Sequence, residues 1–331
     1  MSALVSCIHL VKEFPGPAAV LGRATTVRAV QHVSLAVSRG ETLALVGESG
    51  SGKTTLGRCL VRLTEPTSGS VSFNGTDVLA LAPGELRRWR RRAQFVFQDP
   101  AAALNPRMSI GAAMREPLVA HGLARGAEAA ERVASALTEV GLDPSHAARL
   151  PHELSGGQKQ RAVIARALIL EPEFVVLDEP VASLDVSVAA QVLNLLADLR
   201  ERHRLTYLLI AHDLRVVRHF ADRVAVMYAG RLVEVAPTEL LYADPRHPYT
   251  AALLSAVPAL DPGVRGKRVP LPGDPPSGRL SLPGCPFEPR CQHPRKDERC
   301  VRERPLLREV PAARLAACHY ADDPAAGRRT S

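Results

Sequence analysis

Residues 42–55 constrain this chain more than any other stretch. Thr42-Leu43-Ala44-Leu45-Val46 is an unbroken apolar run of strand length. It leads into Gly47-Glu48-Ser49-Gly50-Ser51-Gly52-Lys53-Thr54, and a helical pattern follows over Thr55–Leu63. The pattern G-x-x-x-x-G-K-[ST] between a strand and a helix is a phosphate cradle: its glycines let successive backbone N–H groups turn inward, and the helix N-terminus adds partial positive charge. In such a loop Lys53 reaches the terminal phosphates and the Thr54 hydroxyl ligates Mg2+. The strand before it belongs in a parallel sheet covered on both faces, where strands read as continuous apolar runs. Phe174-Val175-Val176-Leu177 and Leu205-Thr206-Tyr207-Leu208-Leu209-Ile210 read the same way. They alternate with helical patterns at Gln158–Leu170 and Val188–Arg202, which predicts an α/β fold.

Composition narrows the classes. The 331 residues suffice for roughly two domains. With 46% hydrophobic and 23% charged residues the chain is an ordinary globular one. Aromatics are 4%, with a single Trp, too few for a stacking platform for single-stranded nucleic acid. A net charge of +8 suits an anionic nucleotide, acidic headgroups or nucleic acid, or else a solvated basic tail. No apolar run approaches the ~18–20 residues of a membrane span. Met1 to Phe14 has no charged region followed by an apolar one, so no secretory signal is expected. The expected location is cytoplasmic, with any membrane link made through a partner.

Two further strings carry chemistry. Asp178 emerges at the end of the run Phe174–Leu177, where a carboxylate holds Mg2+ through water, and the next residue, Glu179, suits a general base for an attacking water. Leu154-Ser155-Gly156-Gly157-Gln158 opens the helix predicted from Gln158, with Ser155 placed as its N-cap. Capping accounts for Ser155 but not for two glycines, which expose backbone N–H groups and suit a second phosphate contact. Residues 100–155 are Ala-rich and helical in pattern, a helical subdomain at about 100–160. After Val257 the chain becomes Pro-rich and loop-dominated, and it holds Cys285, Cys291, Cys300 and Cys318. Such a segment has a thin core and calls for a staple.

The glycine-rich loop, the Leu-Ser-Gly-Gly-Gln string and Leu177-Asp178-Glu179-Pro180 occur in this order and at these spacings as in the ATP-binding subunits of ABC transporters, which the whole chain resembles. The resemblance implies a P-loop NTPase core of ABC type over residues 4–255, with a small Pro/Cys-rich extension over 256–331. It implies ATP and Mg2+ as cofactors. ATP would be held by Phe14 (an aromatic stacking on adenine), by Gly47, Glu48, Ser49, Gly50, Ser51, Gly52, Lys53, Thr54 and Thr55, and by Ser155, Gly156, Gly157, Gln158 and Asp185. Glu179, His212 and Gln98 would be catalytic: Gln98 matches the Q-loop, which senses Mg2+ and touches the membrane subunits, and His212 the switch histidine. Thr54, Gln98 and Asp178 would serve Mg2+. Ser183-Leu184-Asp185 matches the D-loop at the dimer interface. Pro15 to Arg28 looks inserted, Val181-Ala182-Ser183 departs from the commoner Val-Ser-Ala, and Lys159 replaces a common Arg.

Cargo is hinted at elsewhere. Pro245-Arg246-His247-Pro248-Tyr249-Thr250 resembles the His-Pro-Tyr element of oligopeptide and dipeptide importer ATPases, shared with nickel importers, and a short helix is predicted over Thr250–Val257. The resemblance implies two permease subunits, an extracellular solute-binding protein and a second ABC ATPase. The insertion is similar to that of the second ATPase of such pairs, so a heterodimer is expected, with a homodimer as the alternative, on the cytoplasmic face of the membrane. No nucleic-acid partner is expected; a soluble ABC ATPase acting on ribosomes or DNA is the alternative of another class. Some members carry a [4Fe-4S] cluster on similarly placed cysteines. Four thiolates here suit that cluster or zinc, His293 or His319 could replace one thiolate, and unligated thiols are the remaining reading.

Overall fold

The apolar runs form strands whose every residue is buried: β3, β7 and β8 below show no exposed position. Burying one such Val or Leu is worth about 1.5–3 kcal/mol, so these strands anchor the layers around them. The computed structural model describes residues 3–18, 24–256, 271–273 and 283–322. In chain order, β1 is Ala3–Ala18, β2 Ala24–Ser38, β3 Thr42–Val46 and α1 Lys53–Leu60. Then come β4 Ser68–Phe73, β5 Thr76–Asp77, α2 Pro83–Arg90 and β6 Ala93–Val96. Four helices follow without an intervening strand among the described residues: α3 Pro100–Ala103, α4 Ile110–Ala120, α5 Gly126–Glu139 and α6 Gly156–Leu168. The chain continues through β7 Phe174–Asp178, α7 Val186–His203, β8 Thr206–Ala211, α8 Leu214–Phe220, β9 Arg223–Tyr228 and β10 Arg231–Pro237. It ends in α9 Thr238–Ala243, α10 Pro248–Ser255, α11 Glu298–Arg302, β11 Arg308–Val310 and β12 Arg314–Ala316.

These elements group into two compact units that interleave along the chain. One comprises Val5–Ala36, Thr42–Ser72 and Ile210–Ser331. In it β3 runs parallel to β9, with Val46 opposite Val226. β9 and β10 form an antiparallel hairpin with a bulge between Leu232 and Glu234, and β12 and β11 extend that edge. The described residues of the C-terminal segment therefore share a unit with the glycine-rich loop. β2, β1 and β4 are hydrogen-bonded neighbours in a separate sheet.

The other unit comprises Met1–Leu4, Val37–Glu41 and Phe73–Leu209. Here β6 runs parallel to β7, with Val96 opposite Leu177, and β8 lies on the far side of β7. α4, α5 and α6 pack on one another. Ser109 caps α4 by accepting the Ala112 N–H.

Helix boundaries differ from the sequence expectation by a few residues, and three of the starts have a clear physical reason. α1 starts at Lys53, not Thr55, because the loop passes into helix directly, with Gly52 as N-cap at φ 103. α6 starts at Gly156, because the Ser155 cap lies one residue before it. α10 starts at Pro248, the favoured first helical position for a ring with fixed φ and no N–H to lose. The insertion Pro15 to Arg28 lengthens β1 and β2, and its residues 19–23 lie outside the described residues.

Candidate functional site: a glycine-rich loop, a carboxylate–amide pair and a capped helix

Strand register explains the loop. Since Val46 faces Val226, Gly47 comes level with Met227, and a Cβ on Gly47 would lie 2.1 Å from the Met227 carbonyl oxygen. At Gly52 a Cβ would meet the Ala29 carbonyl oxygen at the same distance. Only glycine fits at either position. The Ala229-Gly230 turn of the β9–β10 hairpin, at φ 46 and 80, holds the loop from behind: Gly230 N–H donates to the Ser51 carbonyl at 2.9 Å. Lys53 is 5% exposed, and its ammonium donates to the Gly47 and Glu48 carbonyls at 2.8 and 2.9 Å. A buried cation in a loop with no room for side chains at Gly47 and Gly52 fits a polyphosphate. Thr54 and Thr55 follow in the first turn of α1.

The same unit places His212 at the end of β8, exposed, just before Asp213, which caps α8 by accepting the Arg215 N–H at 2.9 Å. The Arg215 guanidinium holds the Asp213 carboxyl below its usual range. Phe14 lies on β1, 38% exposed, with the Lys12 ammonium 4.9 Å from its ring centre.

In the other unit register again does the positioning. Val96 opposite Leu177 brings Gln98, just past β6, level with Glu179, just past β7. The Gln98 amide donates to the Glu179 carboxylate at 2.8 Å. Asp178 closes β7 and is 2% exposed, whereas Glu179 turns into the left-handed region at φ 47. Oxygen donors such as the Asp178 carboxylate and the Thr54 hydroxyl have the hard chemistry Mg2+ takes, and bound Mg2+ would supply charge neutralisation for a phosphoryl group.

Ser155 makes a full capping box: its hydroxyl accepts the Gln158 N–H at 3.3 Å, and the Gln158 side chain accepts the Ser155 N–H at 2.9 Å. Gly157 faces α7, where a Cβ would lie 2.5 Å from Val188 Cγ1, while one on Gly156 would lie 3.4 Å from Leu184 Cδ2. Gly157 is thus also a packing requirement against Val188 of α7, whereas Gly156 meets only an ordinary contact with Leu184; Asp185 is the N-cap residue of α7.

The four cysteines lie in one small region: Cys285 is within electrostatic reach of Cys318, Cys291 and Cys300. Burial pushes the Cys285 thiol up to about 12 and Cys318 up to about 11, so both are neutral. Among the described residues no group of three or more His, Cys, Asp or Glu is placed to hold a metal ion. The cluster or zinc expected on Cys285, Cys291, Cys300 and Cys318 is therefore not supported: packing and backbone bonds, such as Cys285 N–H to the Cys300 carbonyl at 2.8 Å, order this segment instead.

Sequence reasoning missed what holds the loop in place. Glu234, fully buried at the β10 bulge, accepts the Arg246 and His247 N–H groups at 2.8 and 2.9 Å. His247 caps α10 through Nδ1, which accepts the Tyr249 N–H at 3.1 Å, and burial pushes its pKa down to about 3. The Tyr249 hydroxyl accepts the Glu48 N–H at 2.8 Å, and Arg290 bonds the Glu48 side chain. The two contacts to Glu48 link residues 201 and 242 positions apart, and no local pattern announces them.

A glycine-rich phosphate loop after a buried strand, an acid pair ending another and a Ser-Gly-Gly capped helix are the marks of an ATP-hydrolysing cassette. Residues 30–182 match the ABC transporter family, and residues 233–300 match the oligopeptide/dipeptide transporter C-terminal region. The chain is 52% identical over 296 residues to a peptide import ATP-binding protein of Brucella ovis, covering 89% of this chain and 93% of that one. It is 48% identical over 301 residues to the oligopeptide transport ATP-binding protein YkfD of Bacillus subtilis, covering 90% and 91%. With the dipeptide transport ATP-binding protein DppF of Haemophilus influenzae it shares 44% over 319 residues, covering 96% and 97%. Among solved structures it resembles the ATP-binding cassette MJ0796, a dimer bound to ADP and Pi, with a TM-score of 0.62 and 29% identity over 71% of this chain and 98% of that one. The chain belongs to the ABC transporter ATPases, in the group that carries the oligopeptide/dipeptide C-terminal region. Among the described residues no helix is long and apolar enough to cross a membrane.

Proposed function

We propose that this chain is the ATPase subunit that powers import of short peptides, working at the cytoplasmic face of the membrane beside two permeases and a second, related ATPase that completes a heterodimer. An extracellular binding protein would deliver the cargo. The observation that carries the cargo reading is the C-terminal match over 233–300, which contains His247-Pro248-Tyr249 and accompanies relatives named for peptide and dipeptide transport. The organisation proposed is an ATPase region over 4–255 and an extension over 256–331.

In this reading Lys53 and the loop of residues 47–55 bind the phosphates, Phe14 stacks on adenine, and Thr54, Gln98 and Asp178 serve Mg2+. Glu179 takes a proton from the attacking water, with the Gln98 amide steadying its carboxylate, and His212 contacts the terminal phosphate. Ser155, Gly156, Gly157, Gln158 and Asp185 serve nucleotide across the dimer. The chemistry asked of these groups is positioning and electrostatic stabilisation of a phosphoryl group.

The test reconstitutes the chain with its permeases, second ATPase and binding protein in vesicles and measures phosphate release. Release should rise when di- to pentapeptides are added with the binding protein, and fall to background with the double variant Lys53→Ala/Ser155→Arg. Stimulation by nickel ions alone would move the cargo to metal. Stimulation by ribosomes or DNA, with none from peptides, would overturn the import reading.

A further inference from the structure

Glu48 occupies a position where a carboxylate is a handicap. It follows Gly47 in a loop whose amides and lysine are arranged for an anion, and an unpaired negative charge there repels phosphate. The structure pairs it from far away in sequence. Arg290, in the turn Glu288–Arg290 with its side chain 6% exposed, sends Nη1 and Nη2 to the two oxygens of Glu48 at 2.7 and 3.0 Å. Its Nε donates to the Pro272 carbonyl at 3.0 Å and Nη1 also to the Tyr228 hydroxyl at 3.4 Å. A forked pair of this kind fixes orientation as well as charge. The neighbouring Phe287 packs against Tyr228, Tyr249 and His247, with ring centres 5.3, 5.5 and 5.6 Å away, so the approach of Arg290 is set by a buried aromatic cluster.

The backbone of Glu48 is held as well. Its N–H donates to Tyr249 at 2.8 Å, while its carbonyl accepts the Lys53 ammonium at 2.9 Å and the Ser51 N–H at 3.2 Å. Where Glu48 sits therefore decides where the phosphate-binding lysine and the middle of the loop sit. We propose that Arg290 and Tyr249 are positioning residues for nucleotide binding: they clamp Glu48, neutralise its carboxylate and hold the loop in its phosphate-binding shape, so that the C-terminal segment sets the affinity for ATP. The proposal rests on the nucleotide reading of the loop and is independent of the cargo.

The full chain is titrated with MgATP by calorimetry, and exchange of the amides of residues 47–53 is followed in parallel. Arg290→Ala should weaken binding about tenfold and speed that exchange. Arg290→Lys, which keeps charge but loses the fork, should fall between, and it carries the test alone if Arg290→Ala does not fold. Adding Glu48→Gln to Arg290→Ala should recover most of the loss, which a merely structural arginine would not show. Tyr249→Phe should speed exchange at the Glu48 amide. Wild-type affinity and exchange in the Arg290 variants, or a double variant that binds no better than Arg290→Ala, would overturn the clamp. Failure of the wild-type chain to bind MgATP would overturn the nucleotide reading beneath it.

Discussion

At Glu179 the backbone stores strain, with φ 47 in the left-handed region, a cost of order 1 kcal/mol for a residue other than Gly. The strain persists because β7 is buried up to Asp178 and the Gln98 amide ties down the carboxylate beyond it. Glu179→Gln keeps the backbone, the size and an acceptor for Gln98 while removing the basicity. It should leave ATP affinity within about twofold and lower turnover by about 10²-fold or more, read as phosphate release against nucleotide binding on the same sample. The sequence singles out Glu179 as a candidate because a carboxylate after a buried run is a local signal. Its hydrogen bond to Gln98 was not legible there, since it follows from a register of two parallel strands far apart in the chain. The same holds for Glu48, which the sequence marks only as one of the interior loop positions, and for Arg290, whose partner is 242 residues away.

Among the elements, α6 and α10 show how much of a helix is written locally. Ser155 as a cap was readable from its place before the helical pattern, as was the short helix after His247, though its start was not. What Gly157 does was hidden, because Val188 approaches it from another helix. Val188 is β-branched and has little rotamer freedom on a helix, so Gly157→Ala should cost about 1–3 kcal/mol in urea unfolding, with Val188→Ala restoring most of it. Gly156→Ala meets only an ordinary contact and should fold with near-normal stability. At α10 the buried His247 is neutral, and its folded pKa of about 3 lies below the unfolded value near 6.5. The unfolded chain binds the extra proton first as pH falls, so the neutral cap contributes its full stability above about pH 6.5 and loses it progressively toward pH 3. The loss is at most about 1.4 kcal/mol per pH unit. His247→Asn keeps a cap acceptor without a titrating group. Urea midpoints between pH 7.5 and 4.5 should therefore fall less steeply in the variant than in the wild type, and equal slopes would remove His247 from the acid response.

For the whole molecule, the decisive fact is a count: one Lys53 loop and one Ser155 string per chain. If nucleotide is sandwiched between the loop of one subunit and the string of another, as proposed, damage to the two motifs is felt at different pockets. In the reconstituted heterodimer, Lys53→Ala disables the pocket built on this chain's loop and leaves the one that uses its Ser155 string. Ser155→Arg does the reverse. Each single variant should retain part of the ATPase activity beside the normal second subunit, whereas the double variant Lys53→Ala/Ser155→Arg, carried on one chain, should retain none. Mixing the two single variants with each other, and no second subunit, separates the assemblies further. A homodimer would rebuild one intact pocket in about half of the pairs and recover about a quarter of normal activity. A chain that requires a distinct partner stays at background, which is the expected result. Activity of the double variant close to that of either single one would remove the shared pocket from the mechanism, because both motifs of this chain would then serve the same pocket.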